Sequence, residues 1–154
     1  MLGGVHIPSA FGLQGHSDGD VVLHAVCDAV LGAIGAGDIG QHFPDSDERY
    51  RGIASSELLR RVAAVMRDAG WRIGNVDVTI GAERPRLAPH RDAMRARVAA
   101  LLDAPASAVS VKAKTNEGVD AVGRGEAITA TAVVLLEAAG PAAVGCAHPP
   151  GGTR

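Results

Sequence analysis

Aromatic residues are nearly absent from this chain: one tryptophan, one tyrosine and two phenylalanines in 154 residues. With hydrophobic residues at 47% of the sequence, the core must therefore be built from alanine, valine, leucine and isoleucine. Cysteine is equally scarce. Cys27 and Cys146 stand far apart with no C-x-x-C pair, which excludes a disulfide framework and a zinc ribbon. An excess of positive charge is missing too. The 15 basic and 17 acidic residues leave a net charge of -2, giving no basic field for nucleic acid or an anionic membrane. An anionic ligand would have to be met locally, by arginines, backbone amides or metal ions. No apolar run reaches membrane-spanning length and no basic-then-apolar leader precedes the first turn, so the cytoplasm is the expected location. The length points to one domain with enough chain to bury a proper core.

Hydrophobic periodicity then lays out the elements. Val5-His6-Ile7-Pro8 reads as the end of a short strand stopped by the proline. Ser17 is expected to start a helix, with Ser17-x-x-Asp20 as a capping-box variant and acidic residues in the positive first turn. Val22, Val26, Ala29, Val30, Ala33 and Ile34 keep helical spacing until Gly35 to Gly37 end the run. A second helix is expected from about Ser55 to Ala69, with Leu58, Leu59, Val62, Val65 and Met66 inward and Gly70 as its stop. A third follows Pro89, with Met94, Val98, Leu101 and Leu102 on one face. Val76–Ile80 and Val109–Ala113 alternate as half-buried strands, and Ile128–Leu136 is a longer candidate. This order predicts an α/β (α+β sandwich) fold: a mixed β-sheet with three helices packed on it, in a single domain over residues 1–139. From Gly140 onward Pro, Gly and Ala dominate, and residues 140–154 are expected to form a disordered tail.

Chemistry concentrates in four stretches. Gly15 to His24 gathers two histidines, a hydroxyl and carboxylates at a helix start, a favourable place to hold an anion. Along that helix Asp20, His24 and Asp28 fall at i, i+4 and i+8 and line one stripe. A carboxylate beside a neutral imidazole would fix the tautomer of a metal-binding histidine, although a polar, helix-stabilising face uses the same spacing. Gly37 to Asp47 is too short and polar for core structure. Its Asp38, Asp45 and Asp47 could accept from sugar hydroxyls, or could simply make the turns of a solvated loop. Gly81 to His90 leaves a strand for a helix, stiffened by two prolines. Its backbone groups could read a base edge, and a plain connector with surface arginines fits equally. Lys114-Thr115-Asn116-Glu117 offers a hydroxyl and a hard oxygen ligand suited to phosphate-bound magnesium. Gly123-Arg124-Gly125-Glu126 then lets a guanidinium approach a phosphate closely. Together these two suggest a polyphosphate site.

In order along the chain stand Leu2-Gly3-Gly4-Val5-x-Ile7-Pro8, His16-Ser17-Asp18-Gly19-Asp20 through His24 and Asp28, and Gly37-Asp38-Ile39-Gly40 with Phe43-Pro44-Asp45-x-Asp47. Asn75-Val76-Asp77-Val78, Glu83-Arg84-Pro85-x-Leu87, Val111-Lys112-Ala113-x-Thr115-x-Glu117 and Gly123-Arg124-Gly125-Glu126 follow. Over residues 2–138 the sequence thereby resembles the 2-C-methyl-D-erythritol 2,4-cyclodiphosphate synthase family of the non-mevalonate isoprenoid pathway. The resemblance implies a homotrimer with sites between neighbouring subunits. The implied reaction closes a cyclic diphosphate. The 2-phosphate of 4-diphosphocytidyl-2-C-methyl-D-erythritol 2-phosphate attacks the β-phosphorus and CMP leaves, which is mostly a positioning task. Zinc gripping one phosphate, and magnesium or manganese bridging the diphosphate, are implied as cofactors.

The resemblance also assigns residues. It makes His24 a zinc ligand and Glu117 a contact to the second metal. It places His16 and Thr115 where they stabilise the transition state, with Ser17 holding phosphate beside His16. Asp38, Ile39, Gly40, Phe43, Pro44, Asp45, Ser46 and Asp47 become the erythritol and phosphate loop. Ala82, Glu83, Arg84, Pro85, Arg86, Leu87, Ala88 and Lys114 become the cytidine pocket, with Asn116 beside it in the phosphate stretch. Arg124 becomes a phosphate-binding arginine near the trimer axis, and Ala121 a pocket wall where many members carry Phe.

The family's opening strand carries Gly-x-Asp-x-His, whose Asp and His are the other two zinc ligands, and no such motif precedes Leu2-Gly3-Gly4 here. The expectation is therefore a sheet short of one strand and a zinc site short of two ligands. Two readings stay open: a cyclodiphosphate synthase whose start lies upstream, and an N-terminally truncated, non-catalytic trimer component or isoprenoid-diphosphate-binding protein. In-frame Gly-x-Asp-x-His codons upstream would favour the first, and an in-frame stop the second.

Overall fold

The computed structural model of the chain describes residues 1–9 and 18–140. Its first helix, α1 (Val21–Ala33), is capped by Asp20, whose carboxylate accepts from the Leu23 amide. The start therefore lies later than the Ser17 expected from sequence. Asp20 has non-helical backbone angles and does the capping itself, while Ser17 lies outside the described residues. Val22, Leu23, Val26, Val30 and Leu31 are buried along α1, in line with its apolar spacing. A one-turn helix, α2 (Ile39–His42), stands inside the stretch expected to be loop, because Asp38 caps it in turn. The helix α3 (Ser55–Asp68) buries Leu58, Leu59, Val62 and Met66, and α4 (Arg91–Leu102) buries Met94, Val98, Leu101 and Leu102. Both match the expected spans closely. A last single turn, α5 (Asp120–Gly123), precedes the final strand.

The strands are β1 (Trp71–Gly81), β2 (Val109–Lys114) and β3 (Thr129–Ala138). They form a mixed three-stranded sheet in the order β2-β1-β3, with β1 parallel to β2 and antiparallel to β3. β1 begins five residues before the expected Val76 because its register shifts between Ile73 and Asn75. That bulge puts Ile73 and Val76 both on the buried side and hides the alternation in the sequence. The strand expected over Val5–Pro8 is not formed. Leu2 and Val5 instead bridge each other around Gly3 and Gly4, whose φ of 56° and 71° make a turn that a strand cannot contain.

All three long helices lie on one face of the sheet: α1 packs along β3 and against α3, and α4 against β2. Val76, Val78 and Ile80 of β1, with Val109 and Val111 of β2, meet them from below. Cys27 sits in this core, and its thiol is pushed up to about 12, first by burial and then by the nearby carboxylates of Asp28 and Asp20. It is a neutral packing group, not a nucleophile. The opposite sheet face is open. There Lys112 of β2 donates to Asp77 of β1 at 2.5 Å, which holds the Asp77 carboxyl below its usual range. Beside them on β3, Val133 and Leu135 are 66% and 61% exposed. No helix among the described residues is long and apolar enough to cross a membrane. From residue 141 the expected tail lies outside the described residues.

Candidate active site

Two groups of the expected residues are each drawn together by hydrogen bonds. The first lies where α1 and α3 begin. Ser55, the first residue of α3 and fully buried, brings its hydroxyl to Asp18 Oδ1 at 2.5 Å and to His24 Nε2 at 2.9 Å. The Ser55 amide donates to the same Asp18 oxygen at 3.3 Å. The i, i+4 stripe had pointed to Asp20 or Asp28 as partner of the imidazole. Both carboxylates are placed elsewhere. Asp20 accepts from the amides of Gly3 (2.8 Å), Gly4 (2.7 Å) and Leu23 (3.1 Å). Asp28 accepts from the Ile39 amide at 2.8 Å and so ties α1 to the Asp38–Asp47 segment. Ser55 was missed from sequence because it lies 31 residues from His24. Its one visible signal was a serine opening a helix.

In the Asp38–Asp47 segment, Asp38 accepts from the Gln41 amide and side chain at 2.9 and 3.1 Å. Asp47 is gripped by Arg49 through both carboxylate oxygens, and this hydrogen bonding holds its carboxyl below the usual range. His42 Nε2 lies 2.8 Å from the Ala36 carbonyl, and Phe43 packs edge-on to Tyr50 at 5.3 Å. Pro44 follows Phe43 as a half-buried residue, with Asp45 and Ser46 exposed at the turn. Ile39 and Gly40 form the first turn of α2. His16 and Ser17 lie outside the described residues.

The second group sits at the ends of β1 and β2. The Ala82 amide donates to the Lys114 carbonyl at 2.9 Å, and the Asn116 amide to Glu83 Oε2 at 3.3 Å. These bonds clamp the loop Ala82–Ala88 to Lys114–Glu117. Ala82 and Leu87 are buried and anchor that loop, while Arg84, Arg86 and Ala88 are exposed and Pro85 follows a cis peptide bond. Thr115 donates its hydroxyl to Glu117 Oε1 at 3.0 Å, and Glu117 takes a left-handed backbone with φ of 50°. Asp120, also left-handed at φ 63°, accepts from the amides of Val122 (2.7 Å) and Gly123 (3.2 Å) and from the Asn116 side chain (2.8 Å). Ala121 is half-buried just after it. Arg124 pairs with Glu126 through Nε and a terminal nitrogen at 3.0 and 2.9 Å. A cleft of about 840 Å³ runs between the N-terminal turn and this end of the sheet, lined among others by His6, Arg84, Pro85 and Arg124. Its size suits a small-molecule ligand.

The bond from the Gly123 amide comes first, and with those from Val122 and Asn116 it outweighs the opposing cost of burial and holds the Asp120 carboxyl below the ordinary value. A depressed folded value means stabilisation that is complete above the unfolded value and lost as pH falls through the folded one. Measured against the intrinsic exchange rate at each pH, the protection of the Val122 and Gly123 amides should therefore fall on acidification from pH ~5 to pH ~2, around the ordinary aspartate value of about 3.9. Asp120→Asn should flatten that pH dependence.

His24 and Glu117 fall in different groups, and among the described residues no three His, Cys, Asp or Glu side chains gather to hold an ion. A catalytic zinc takes three protein ligands, so the described residues alone do not fit one.

A model of the YgbB family matches residues 1–137. The chain belongs to the YgbB family. This YgbB-family chain is 56% identical over 139 residues to 2-C-methyl-D-erythritol 2,4-cyclodiphosphate synthase of Syntrophomonas wolfei, spanning 90% of this chain and 88% of that protein. Among solved structures, the bifunctional IspDF from Campylobacter jejuni superposes with a TM-score of 0.86 at 38% identity, over 90% of this chain and 37% of that longer one. A 2C-methyl-D-erythritol-2,4-cyclodiphosphate synthase in its CDP-bound form gives a TM-score of 0.82 at 38% identity, over 89% of each chain. The mixed sheet with helices on one face is thus the fold this YgbB-family chain shares with synthase structures.

Proposed function

We propose that the chain cyclises 4-diphosphocytidyl-2-C-methyl-D-erythritol 2-phosphate to 2-C-methyl-D-erythritol 2,4-cyclodiphosphate with release of CMP, a lyase step of isoprenoid precursor biosynthesis in the cytoplasm. The observation that carries this reading is the clamp between Ala82–Ala88 and Lys114–Glu117. It sets a stiff, backbone-rich loop able to read a pyrimidine edge directly beside a hydroxyl–carboxylate pair able to face a diphosphate. The relatives' names and the CDP-bound structure support a cytidine nucleotide there.

In this reading Ala82, Glu83, Arg84, Pro85, Arg86, Leu87, Ala88 and Lys114 hold the cytidine. Asp38 to Gly40 and Phe43 to Asp47 hold the erythritol and its phosphate, and Ser17 holds phosphate together with His16. Bringing the 2-phosphate into line with the β-phosphorus crowds anionic oxygens together. Arg124 offsets that charge, and Thr115 and His16 donate hydrogen bonds where charge builds up in the transition state. Zinc, and magnesium or manganese, belong to the proposal with His24 and Glu117 as one donor each. The described residues complete neither ligand set.

A homotrimer with sites between subunits is part of the same proposal. Its support is the open sheet face, where Val133 and Leu135 leave apolar surface of the kind that a neighbouring copy covers.

The test is CMP release from the diphosphocytidyl substrate by the purified chain. Thr115→Val and Arg124→Ala should each slow it by roughly 100-fold or more, the usual cost of removing a group that meets developing charge. Wild-type rates in both variants would sink the assignment. Substrate binding with no CMP release at all would favour a non-catalytic, diphosphate-binding member instead.

A further inference from the structure

We infer that His42 is a positioning residue: its ring N–H, donated to the Ala36 carbonyl, folds the one-turn helix α2 back on the end of α1 and so aims the residues that follow it. The direction of this bond is set by chemistry. A carbonyl oxygen only accepts, so across the 2.8 Å contact the His42 Nε2 carries the proton. The Ala36 peptide is thereby held on both sides, because its amide donates to the Leu31 carbonyl of α1 at 2.9 Å.

A helix of four residues has little stability of its own, so α2 takes its direction from outside. At its start Asp28 of α1 accepts from the Ile39 amide at 2.8 Å. His42 secures its end. Gly37 permits the fold-back: its φ is 83°, and a Cβ there would stand 2.4 Å from Gln41 Oε1. Directly after His42, Phe43 packs edge-on to Tyr50 at 5.3 Å, and the Arg61 guanidinium carbon of α3 lies 5.9 Å from the Tyr50 ring centroid. The half-buried imidazole therefore stands at the joint between Asp38–Gly40, tied to α1, and Phe43–Asp47, braced toward α3. It acts through both stretches. That they hold the erythritol and its phosphate rests on the function proposed above. The clip itself does not.

The experiment compares three substitutions in the full chain. His42→Leu removes the donor. His42→Gln carries its Nε2 as many bonds from the backbone as the histidine Nε2, whereas His42→Asn ends one bond short. The Leu and Asn variants should lower kcat for CMP release about 10–100-fold, since misplacing a reacting group by about an ångström costs on the order of 100-fold. Their affinity for CMP should not change, because the cytidine loop belongs to the separate group clamped at the ends of β1 and β2. The Gln variant should restore kcat. Amide exchange at Gln41 and Phe43 should quicken in the Leu and Asn variants and return to wild type in Gln, while the amides of β1 keep their protection. Should His42→Leu fail to fold, His42→Asn, which keeps a polar side chain, carries the comparison. Wild-type exchange in the folded Leu and Asn variants overturns the inference, as does a Gln variant as impaired as Leu. Exchange that follows the N–H in a chain that releases no CMP would keep the clip and refute the proposed function. CMP release unchanged in all three variants would do the reverse.

Discussion

Asp20→Ala should lower the free energy of unfolding by about 3–5 kcal/mol, the largest stability loss expected from any single polar substitution in this fold. Asp20 is fully buried and accepts from three backbone amides, those of Gly3, Gly4 and Leu23. Hydrogen bonds to a charged group contribute about 1.5–3 kcal/mol each, and a buried donor left alone costs about 1–3 kcal/mol. The full sum is reduced because Gly4 is only half-buried and water can reach its amide. The loss also spreads beyond the bonds. Gly3 and Gly4 hold left-handed angles only while the carboxylate gathers their amides, and with them would go the burial of Leu2, now 3% exposed. Asp20→Asn keeps one accepting oxygen but turns an NH₂ group toward the remaining amide, so about 2–3 kcal/mol is expected. Urea denaturation read by circular dichroism decides it, with the slope unchanged and the midpoint lowered. A loss under about 1 kcal/mol for alanine would mean that the clamp contributes little.

Gly123→Ala should leave the chain folded and cut CMP release by roughly 100-fold. A Cβ at this position would stand 2.3 Å from the carbonyl carbon of Gly118, 2.8 Å from its Cα and 3.0 Å from its oxygen. These are backbone atoms, so no rotamer change relieves the clash. Either the Glu117–Gly118 turn or α5 must move. The turn is already committed: Glu117 and Gly118 have φ of 50° and 76°, and Thr115 donates to Glu117 across it. Displacing it by an ångström moves both groups proposed to meet the diphosphate, and misplacement of that size costs about 100-fold in rate. The strain itself should cost about 1–3 kcal/mol in stability. The two readouts separate the cases. A kcat loss with a modest change in midpoint supports the packed-turn account, whereas a wild-type kcat shows that the turn yields without disturbing Thr115 and Glu117.

Sequence was most readable where packing repeats. The stripes of Leu58, Leu59, Val62 and Met66 in α3 and of Met94, Val98, Leu101 and Leu102 in α4 face one core, so their period locates them. The alternating residues of β3 do the same. Reading failed where one residue changes the count or where two residues compete. The bulge before Asn75 breaks the alternation of β1 and conceals its first half. Ser17 and Asp20 both have capping chemistry, and only the structure assigns the cap to Asp20. Val5 to Pro8 is apolar enough for a strand, but the turn of Gly3 and Gly4 at positive φ is held by a carboxylate 17 and 16 residues away, beyond any local window. The site divides along the same line. Motif stretches located its loops, but spacing showed only that Asp20 and Asp28 could reach His24. Hydrogen-bond demand elsewhere claimed both, and the partner came from another helix.

The placement of β3 also governs when the fold can exist. This last strand flanks the central β1 and lies along α1, the first long helix. A chain leaving the ribosome completes α1 roughly 100 residues before it has made β3. At about 5–20 residues per second, the apolar side of α1 then waits roughly 5–20 s for its cover. Until then α1 has α3 as its main partner, so the nascent chain exposes much of its valine- and leucine-rich stripe for seconds in a crowded cell. Contacts that join the two ends of a chain also form slowly once synthesis is complete. The arrangement that makes the finished sheet cooperative thus leaves a long interval in which chaperones, or other unfinished chains, can reach its first helix.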